Sequence, residues 1–576
     1  MYSDKKNVNI LTSLIVAHGV HHAVVCPGSR NAPIAHNLST CPDIECYPVT
    51  DERSAGFFAI GMALATKRPV AVCVTSGSAL LNLAPAVAEA HYQRIPLMVI
   101  SADRPRRWIG QLDGQTLPQP DAFGGLVSKS VDLPENISTD EDRWYCNRLV
   151  NEALLAMRSP ADGPVHVNVP MAEPLFGFSV PELPEERVIT RLSGNAPQVA
   201  MDVIGQLLSA SRPMMVIGQC MVDDDRLPGR VCGKAMQWLS NRMVILSESL
   251  TNLPPLIRNV DEVVRILHED RRAWPDFILY VGGTLVSKPL RRFLRKVEDA
   301  DVLVMSPDDD ICDVTMHATK AVRMDVETFL LTVMNNEQTF AQRVPTPEQT
   351  GFLDIWKRAA GTVSKLALAY QPAYSQMAAI SYFEQQLEDM DYDYVTHYAN
   401  SSAVRLANIY AEHPVYCNRG VNGIDGSVSV AAGFSAVDNR MTFCVTGDLS
   451  FFYDQNALWN VNLRGNLRII LLNNGGGGIF RMLPGLEQSK VRDNVVCAAH
   501  NATAQGICLQ NDVGYLKAHT MEEMQLGVVT LLTKQAQRPM LLEIFTDAET
   551  DAQMMKDYYR QLEQYGKKRM EENQGF

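Results

Sequence analysis

Asp448 and Asn474 are the residues whose types and spacing point most directly to chemistry. Each closes an apolar, strand-like run: MTFCVTG (441–447) leads into Asp448, and LRIILLNN (467–474) ends on Asn474. A carboxylate, an amide carbonyl and a nearby backbone carbonyl such as that of Gly476 form an all-oxygen set. That set suits a hard cation such as Mg²⁺, which takes its other ligands from phosphate and water. The glycines after Asn474 let the backbone approach a diphosphate closely. A lone Gly-Asp pair is an ordinary strand end; GDLS (447–450) followed by NNGG (473–476) in matched strand contexts is a constellation. Glu52 in TDERSAGFFAIGMALA (50–65) is a second acidic candidate, although an acid at a helix start alone is usually a dipole partner. The GGGG run (475–478) is no P-loop, since no Lys-Ser/Thr follows it.

These residues need strand ends to hold them. VHHAVVCP (20–27), DIECYPV (43–49), PVAVCVT (69–75) and PLMVISAD (96–103) read as strands with helices between, and the last closes the first run. Strands followed by helices of this length predict a parallel, doubly wound sheet, with ligands outside the carboxyl ends of the strands. Those ends carry PGSR, TDERS, TSGSA and SADRP. A Pro- and charge-rich stretch at 176–195 reads as a linker. A second block has strands at 214–219, 243–249, 277–283, 301–306 and 321–325, and 331–375 reads as helical and linker-like. The third block has strands at 392–398, 415–418, 441–447, 467–474 and 541–545, and ends in a charged, solvated helix. The fold class expected is α/β, with three doubly wound parallel-sheet domains over 1–180, 195–345 and 376–576.

Composition agrees. The chain has 576 residues, 46% of them apolar and 20% charged, which fits about three globular domains. Its 52 basic and 65 acidic side chains leave a net charge of −13, which argues against a general nucleic-acid or bilayer binder. Twelve cysteines are too sparse for a disulfide scaffold. The opening MYSDKKNVNILTSLIV is no secretory signal, and no uncharged apolar run is long enough to span a bilayer, so a cytoplasmic protein is expected. His21, His22, His91 and His397 sit near apolar strands or helices and read as structural.

Along nearly its whole length the sequence resembles the thiamin-diphosphate-dependent enzymes. The shared pieces are Glu52, TSGSALLNLAPAVAEA (75–90), GPVHVNVPMAEPL (163–175), GDLS and NNGGGG. Within that superfamily it is similar to the carboligases of menaquinone biosynthesis, through CPGSRNAP (26–33), TDERSAGF (50–57), SADRP (101–105), VSKPL (286–290), NSSAVR (400–405), NRGVNGIDG (418–426) and GGGGIFRMLP (475–484). The resemblance implies a pyrimidine-binding domain, a central domain and a diphosphate-binding domain in that order. It implies thiamin diphosphate with Mg²⁺ or Mn²⁺, bound between the first domain of one subunit and the third of another in a homodimer or homotetramer. Asp448, Asn474 and Gly476 match the metal positions, and Glu52 the acid that bonds N1′ of the aminopyrimidine. Ser450, Ile479, Phe480 and Leu483 match cofactor contacts, Ile479 as the prop under a bent cofactor and the last two as an apolar wall that excludes water.

The reaction implied takes 2-oxoglutarate, releases CO₂ and adds the remainder to isochorismate. Both are dicarboxylates, so an acidic protein must concentrate cations where they meet. The resemblance supplies Arg30, Arg104, Lys288, Arg405 and Arg419, with Ser29, Gln115 and Ser401 as neutral donors; arginine forks bind carboxylates in pairs of bonds. Ser401 and Arg405 are four apart and share a face if helical, and are assigned to the distal carboxylate of 2-oxoglutarate. Arg30 and Arg104 are assigned to isochorismate, Lys288 closes over the site, and Arg419 serves either substrate. Gly114 stands where some relatives have asparagine, which leaves Gln115 less firmly held. The alternative is another thiamin-diphosphate-dependent 2-oxo acid decarboxylase or carboligase.

Overall fold

The computed structural model describes residues 1–158, 161–190, 197–227, 231–254, 257–483 and 485–572. Pro484 of the last motif and residues 191–195 of the expected linker lie outside them. The chain builds three parallel sheets. The first contains β1 (His22–Val25), β2 (Glu45–Pro48), β3 (Val70–Val74), β4 (Leu97–Asp103), β5 (Lys129–Asp132) and β6 (Val165–Pro170), in the order β2-β1-β3-β4-β6-β5. The second contains β7 (Pro213–Ile217), β8 (Val244–Ser247), β9 (Phe277–Val281), β10 (Asp301–Ser306) and β11 (Ala318–Arg323), in the order β11-β10-β9-β7-β8. The third contains β12 (Tyr394–Tyr398), β13 (Val415–Tyr416), β14 (Met441–Gly447), β15 (Leu467–Asn473), β16 (Gly514–Ala518) and β17 (Met540–Phe545), in the order β13-β12-β14-β15-β17-β16. The first and third sheets thus share one winding, two-one-three-four-six-five by position in each.

The central strands are continuous apolar runs because helices cover both faces of each sheet. β3, β4 and β15 are buried at every position. The edges differ from the expectation. The first sheet does not close at residues 96–103: β5 and β6 follow, and β16 joins the third sheet. β5 (KSVD) and β16 (GYLKA) are edge strands with half-exposed positions, so they lack the apolar run that marks a buried strand. Nor are 331–375 merely a linker. The helix Pro347–Ala369 starts at a Thr346–Gln349 capping box and buries Trp356, whose Nε1 donates to the Ala273 carbonyl at 3.1 Å. The terminal helix Ala548–Glu572 is solvated on one side only, since Tyr558 and Leu562 are buried in the core.

The first and third sheets meet through two helices, Glu52–Thr66 and Ser427–Val437. Both are rich in small residues. A Cβ on Gly61 would overlap the Val430 carbonyl oxygen, and one on Gly433 would overlap that of Phe58. The two backbones therefore touch, and one apolar cluster runs from Val72 and Val99 through Phe57 and Val430 to Ile469 and Leu541. Among the described residues no helix is long and apolar enough to cross a membrane.

Candidate active site

Asp448 opens the short helix Asp448–Tyr453 at the carboxyl end of β14, and Asn474 follows the neighbouring β15. The Asp448 carboxylate is buried. Its Oδ1 accepts from the Leu449 N–H at 2.7 Å, and its Oδ2 from Asn474 N–H at 3.1 Å and Gly476 N–H at 2.9 Å. Burial pushes this carboxyl up from its ordinary pKa, against the pull of those N–H groups. The His500 ring lies beside it, with Nε2 3.5 Å from Oδ2. The Asn474 Nδ2 donates to Asp551 Oδ2 at 2.9 Å, while its carboxamide oxygen accepts no hydrogen bond among the described residues. At Gly476, φ is +151°, and a Cβ there would stand 2.6 Å from the Cys497 carbonyl oxygen.

These groups fit a metal diphosphate. A buried carboxylate lies beside an unfilled amide oxygen, in a turn that only glycine can make. Among the described residues no three His, Cys, Asp or Glu side chains gather into a metal cluster. An ion here would therefore draw on Asp448, the Asn474 oxygen, a backbone carbonyl and phosphate, the oxygen-rich shell that Mg²⁺ prefers.

Next to this turn lies a cleft of about 210 Å³. Lys288, Arg405, Asn474, Ile479 and Leu483 line it, as expected residues brought together by the second and third sheets. Lys288 is exposed at the first position of the helix Lys288–Lys296, whose start is capped by Ser287 Oγ accepting from the Leu290 N–H at 3.0 Å. Arg405 projects from the helix Ser402–Tyr410, and its Nε is buried without an acceptor. The helix begins one residue after Ser401, which has φ +76°; Ser402, not Ser401, lines the cleft with Arg405. A shared helical face for Ser401 and Arg405 is thus not what forms. Phe480 lies under Gly477, where a Cβ would meet its ring at 2.7 Å, and Ser450 Oγ donates to the Ile424 carbonyl at 2.6 Å.

Arg419 is buried; its Nη1 donates to Asn400 Oδ1 at 3.0 Å and its Nη2 to the Leu285 carbonyl at 3.2 Å, leaving Nε unpaired. Burial and the charge of Arg405 both lower its pKa. The cleft also contains Arg265, Arg292 and Asp551, which the motif reading did not single out. Arg292 had a signal: it stands four residues after Lys288 on a strongly basic helix. Asp551 had none, since its partner Asn474 is 77 residues away.

The first sheet carries a separate set. Glu52 opens the helix Glu52–Thr66 behind the Asp51 cap, half-buried, and its Oε2 accepts from Asn82 Nδ2 at 3.3 Å. Ser29 and Gln115 are exposed, and Gln115 has φ +56°. Arg104 lies 3.6 Å from Asp113 with its Nε unpaired. Arg30 is buried and engaged, donating to the Met171 carbonyl at 3.1 Å and to Glu173 at 2.9 Å. None of these five lines the cleft of the third sheet.

Two sheets of one winding and an oxygen-lined Gly-rich turn describe the site, and comparison with known proteins gives the family. Residues 6–123 match the family model described as thiamine pyrophosphate enzyme, N-terminal TPP binding domain. A 2-succinyl-5-enolpyruvyl-6-hydroxy-3-cyclohexene-1-carboxylate synthase of Bacteroides thetaiotaomicron is 43% identical over 98% of this chain and 100% of its own. A synthase of the same name from Bacteroides fragilis is 44% identical over the same shares. The chain belongs to this synthase family. As a family member it is a thiamin-diphosphate-dependent enzyme, as the resemblance implied. The structure also superposes on benzoylformate decarboxylase from Polynucleobacter necessarius with a TM-score of 0.67, at 15% identity, over 95% of this chain and 99% of that one. That likeness is one of fold.

Proposed function

We propose that the chain releases CO₂ from 2-oxoglutarate and joins the remaining four-carbon unit to isochorismate, giving 2-succinyl-5-enolpyruvyl-6-hydroxy-3-cyclohexene-1-carboxylate in menaquinone biosynthesis. The observation that carries this reading is the cleft in which Lys288, Arg292 and Arg405 stand beside Asn474 and Ile479. On a chain of net charge −13, such a concentration of cations suits a dianionic substrate held against a metal-diphosphate turn. When bound, thiamin diphosphate supplies the carbon nucleophile that the chain's own side chains lack.

Asp448, the Asn474 oxygen and the Gly476 carbonyl hold Mg²⁺ or Mn²⁺ at the diphosphate. Glu52 holds a proton at N1′ of the aminopyrimidine. Ile479 props the cofactor, with Ser450, Phe480 and Leu483 around it, the last two as an apolar wall. Arg405, with Ser401 or its neighbour Ser402, grips the distal carboxylate of 2-oxoglutarate. Arg30, Arg104, Ser29 and Gln115 meet isochorismate, and Lys288 closes over both. For Arg30 this requires an exchange of its Glu173 partner for the substrate.

The first-sheet and third-sheet sets line different parts of one chain. This supports a homodimer or homotetramer in which a domain spanning 1–180 of one copy faces the domain spanning 376–576 of another, with 195–345 between them. The assay that tests the reading supplies purified protein with thiamin diphosphate, Mg²⁺, 2-oxoglutarate and isochorismate. Consumption of the pair together is expected; turnover of pyruvate with an aldehyde, but not of this pair, overturns it.

A further inference from the structure

The loop that carries Arg419 is held by residues from all three sheets' layers. Glu89 is buried on the helix Ala84–Gln93, beside the first sheet. Its carboxylate accepts from the backbone N–H groups of Gly420 at 2.7 Å and Val421 at 2.8 Å, and from Gln93 Nε2 at 2.6 Å. Gln219, just past β7, donates to Gln93 Oε1 at 3.0 Å and to the Cys417 carbonyl at 2.9 Å. Thr284, just past β9, donates its hydroxyl to the Arg419 carbonyl at 2.9 Å. The guanidinium then bonds the Leu285 carbonyl, three residues before Lys288.

A carboxylate with 1% exposure is costly unless its lone pairs are filled. Here three N–H donors fill them, and two belong to the residues directly after Arg419. We propose that Glu89 is a positioning residue for Arg419. It fixes the backbone at 420–421 and, through it, the register of the guanidinium. The layer of the first sheet thereby shapes the dicarboxylate site of the third sheet within the same chain. This rests on Arg419 being a substrate cation, as the family resemblance implies; it is buried and is not itself among the side chains that line the cleft.

Glu89→Gln keeps the volume but turns an N–H₂ group toward one of the two loop donors, so the loop must shift. Both KM values and kcat are measured on the cofactor-loaded enzyme for Glu89→Gln, Arg419→Ala and the double variant. The substrate whose KM rises in Arg419→Ala should show a KM rise of about tenfold in Glu89→Gln, the size of one lost charge-assisted bond, with kcat within about threefold. The double variant should match Arg419→Ala alone, because a residue that acts through Arg419 has nothing left to act on. An unchanged KM in Glu89→Gln, or a double variant whose KM rise is the product of the two single effects, overturns the inference. If Arg419→Ala leaves both KM values unchanged, the reading of Arg419 fails and takes this inference with it. If Glu89→Gln does not fold, Gly420→Ala puts the same question, since its Cβ would stand 2.8 Å from the Glu89 carbonyl oxygen and 3.0 Å from its carboxyl carbon.

Discussion

The carboxamide of Asn474 gives its nitrogen to Asp551 at 2.9 Å, and this bond decides which end of the amide is left for a metal. Asp551 is itself held by the Gln376 N–H at 2.8 Å and the Thr546 hydroxyl at 2.7 Å. If Asn474 is a metal ligand, as proposed, Asp551 is placed to orient it from outside the ligand set. Asp551→Ala should weaken Mg²⁺-dependent binding of thiamin diphosphate by about 10–100-fold, read by calorimetric titration. Unchanged affinity would remove Asp551 from that role.

Glu52 stands apart from this turn, on the other sheet. If its part is to hold a proton at the aminopyrimidine, Glu52→Gln should bind thiamin diphosphate nearly as well as the parent. Its kcat should fall about 10²–10⁴-fold, the usual reach of acid–base assistance. Parallel losses of affinity and turnover would point to a structural carboxylate at a helix start instead.

Arg405 offers a buried Nε without an acceptor to the cationic cleft. Arg405→Ala should raise KM for 2-oxoglutarate about 10–100-fold, as for one or two charge-assisted bonds, and KM for isochorismate far less. The opposite order in steady-state assays would mean that the two carboxylate assignments are exchanged.

The strands that end at Asp448 and Asn474 were legible because both sheet faces are covered, which makes each a continuous apolar run. β5 and β16 were not legible, since an edge strand such as KSVD looks like a loop. Ser401 shows a second limit: nothing in NSSAVR announces a serine at φ +76° that delays the helix by one residue. Long-range partners form a third. Glu173 neutralises Arg30 across 143 positions and Asp551 orients Asn474 across 77, and neither spacing has a local pattern.

Gly433 carries the contact between the first and third sheets. Its Cβ would overlap the Phe58 carbonyl oxygen, a backbone atom that cannot rotate away. Gly433→Ala should therefore force the two helices apart and destabilise the protein by about 1–3 kcal/mol, the range for overpacking. A thermal midpoint within a degree of the parent's would show that the interface gives more easily than close packing implies.

Asp454 supplies a pH dependence at the same interface. It is fully buried, accepts from the Ser429 N–H at 2.8 Å and the Ser429 hydroxyl at 2.7 Å, and burial raises its pKa to about 7. Its carboxyl thus binds a proton in the folded state over a range where the unfolded chain, with an ordinary value of 3.8, has lost it. Stability from this group is complete below about pH 4 and falls as pH rises toward about 7, by up to about 1.4 kcal/mol per pH unit. Asp454→Asn keeps an acceptor for the Ser429 N–H and offers an N–H to the Ser429 hydroxyl, without the ionisation. The variant should match the parent's thermal midpoint near pH 4 and gain on it steadily up to about pH 7. A gap between the two that stays constant across that window would show that Asp454 does not titrate there.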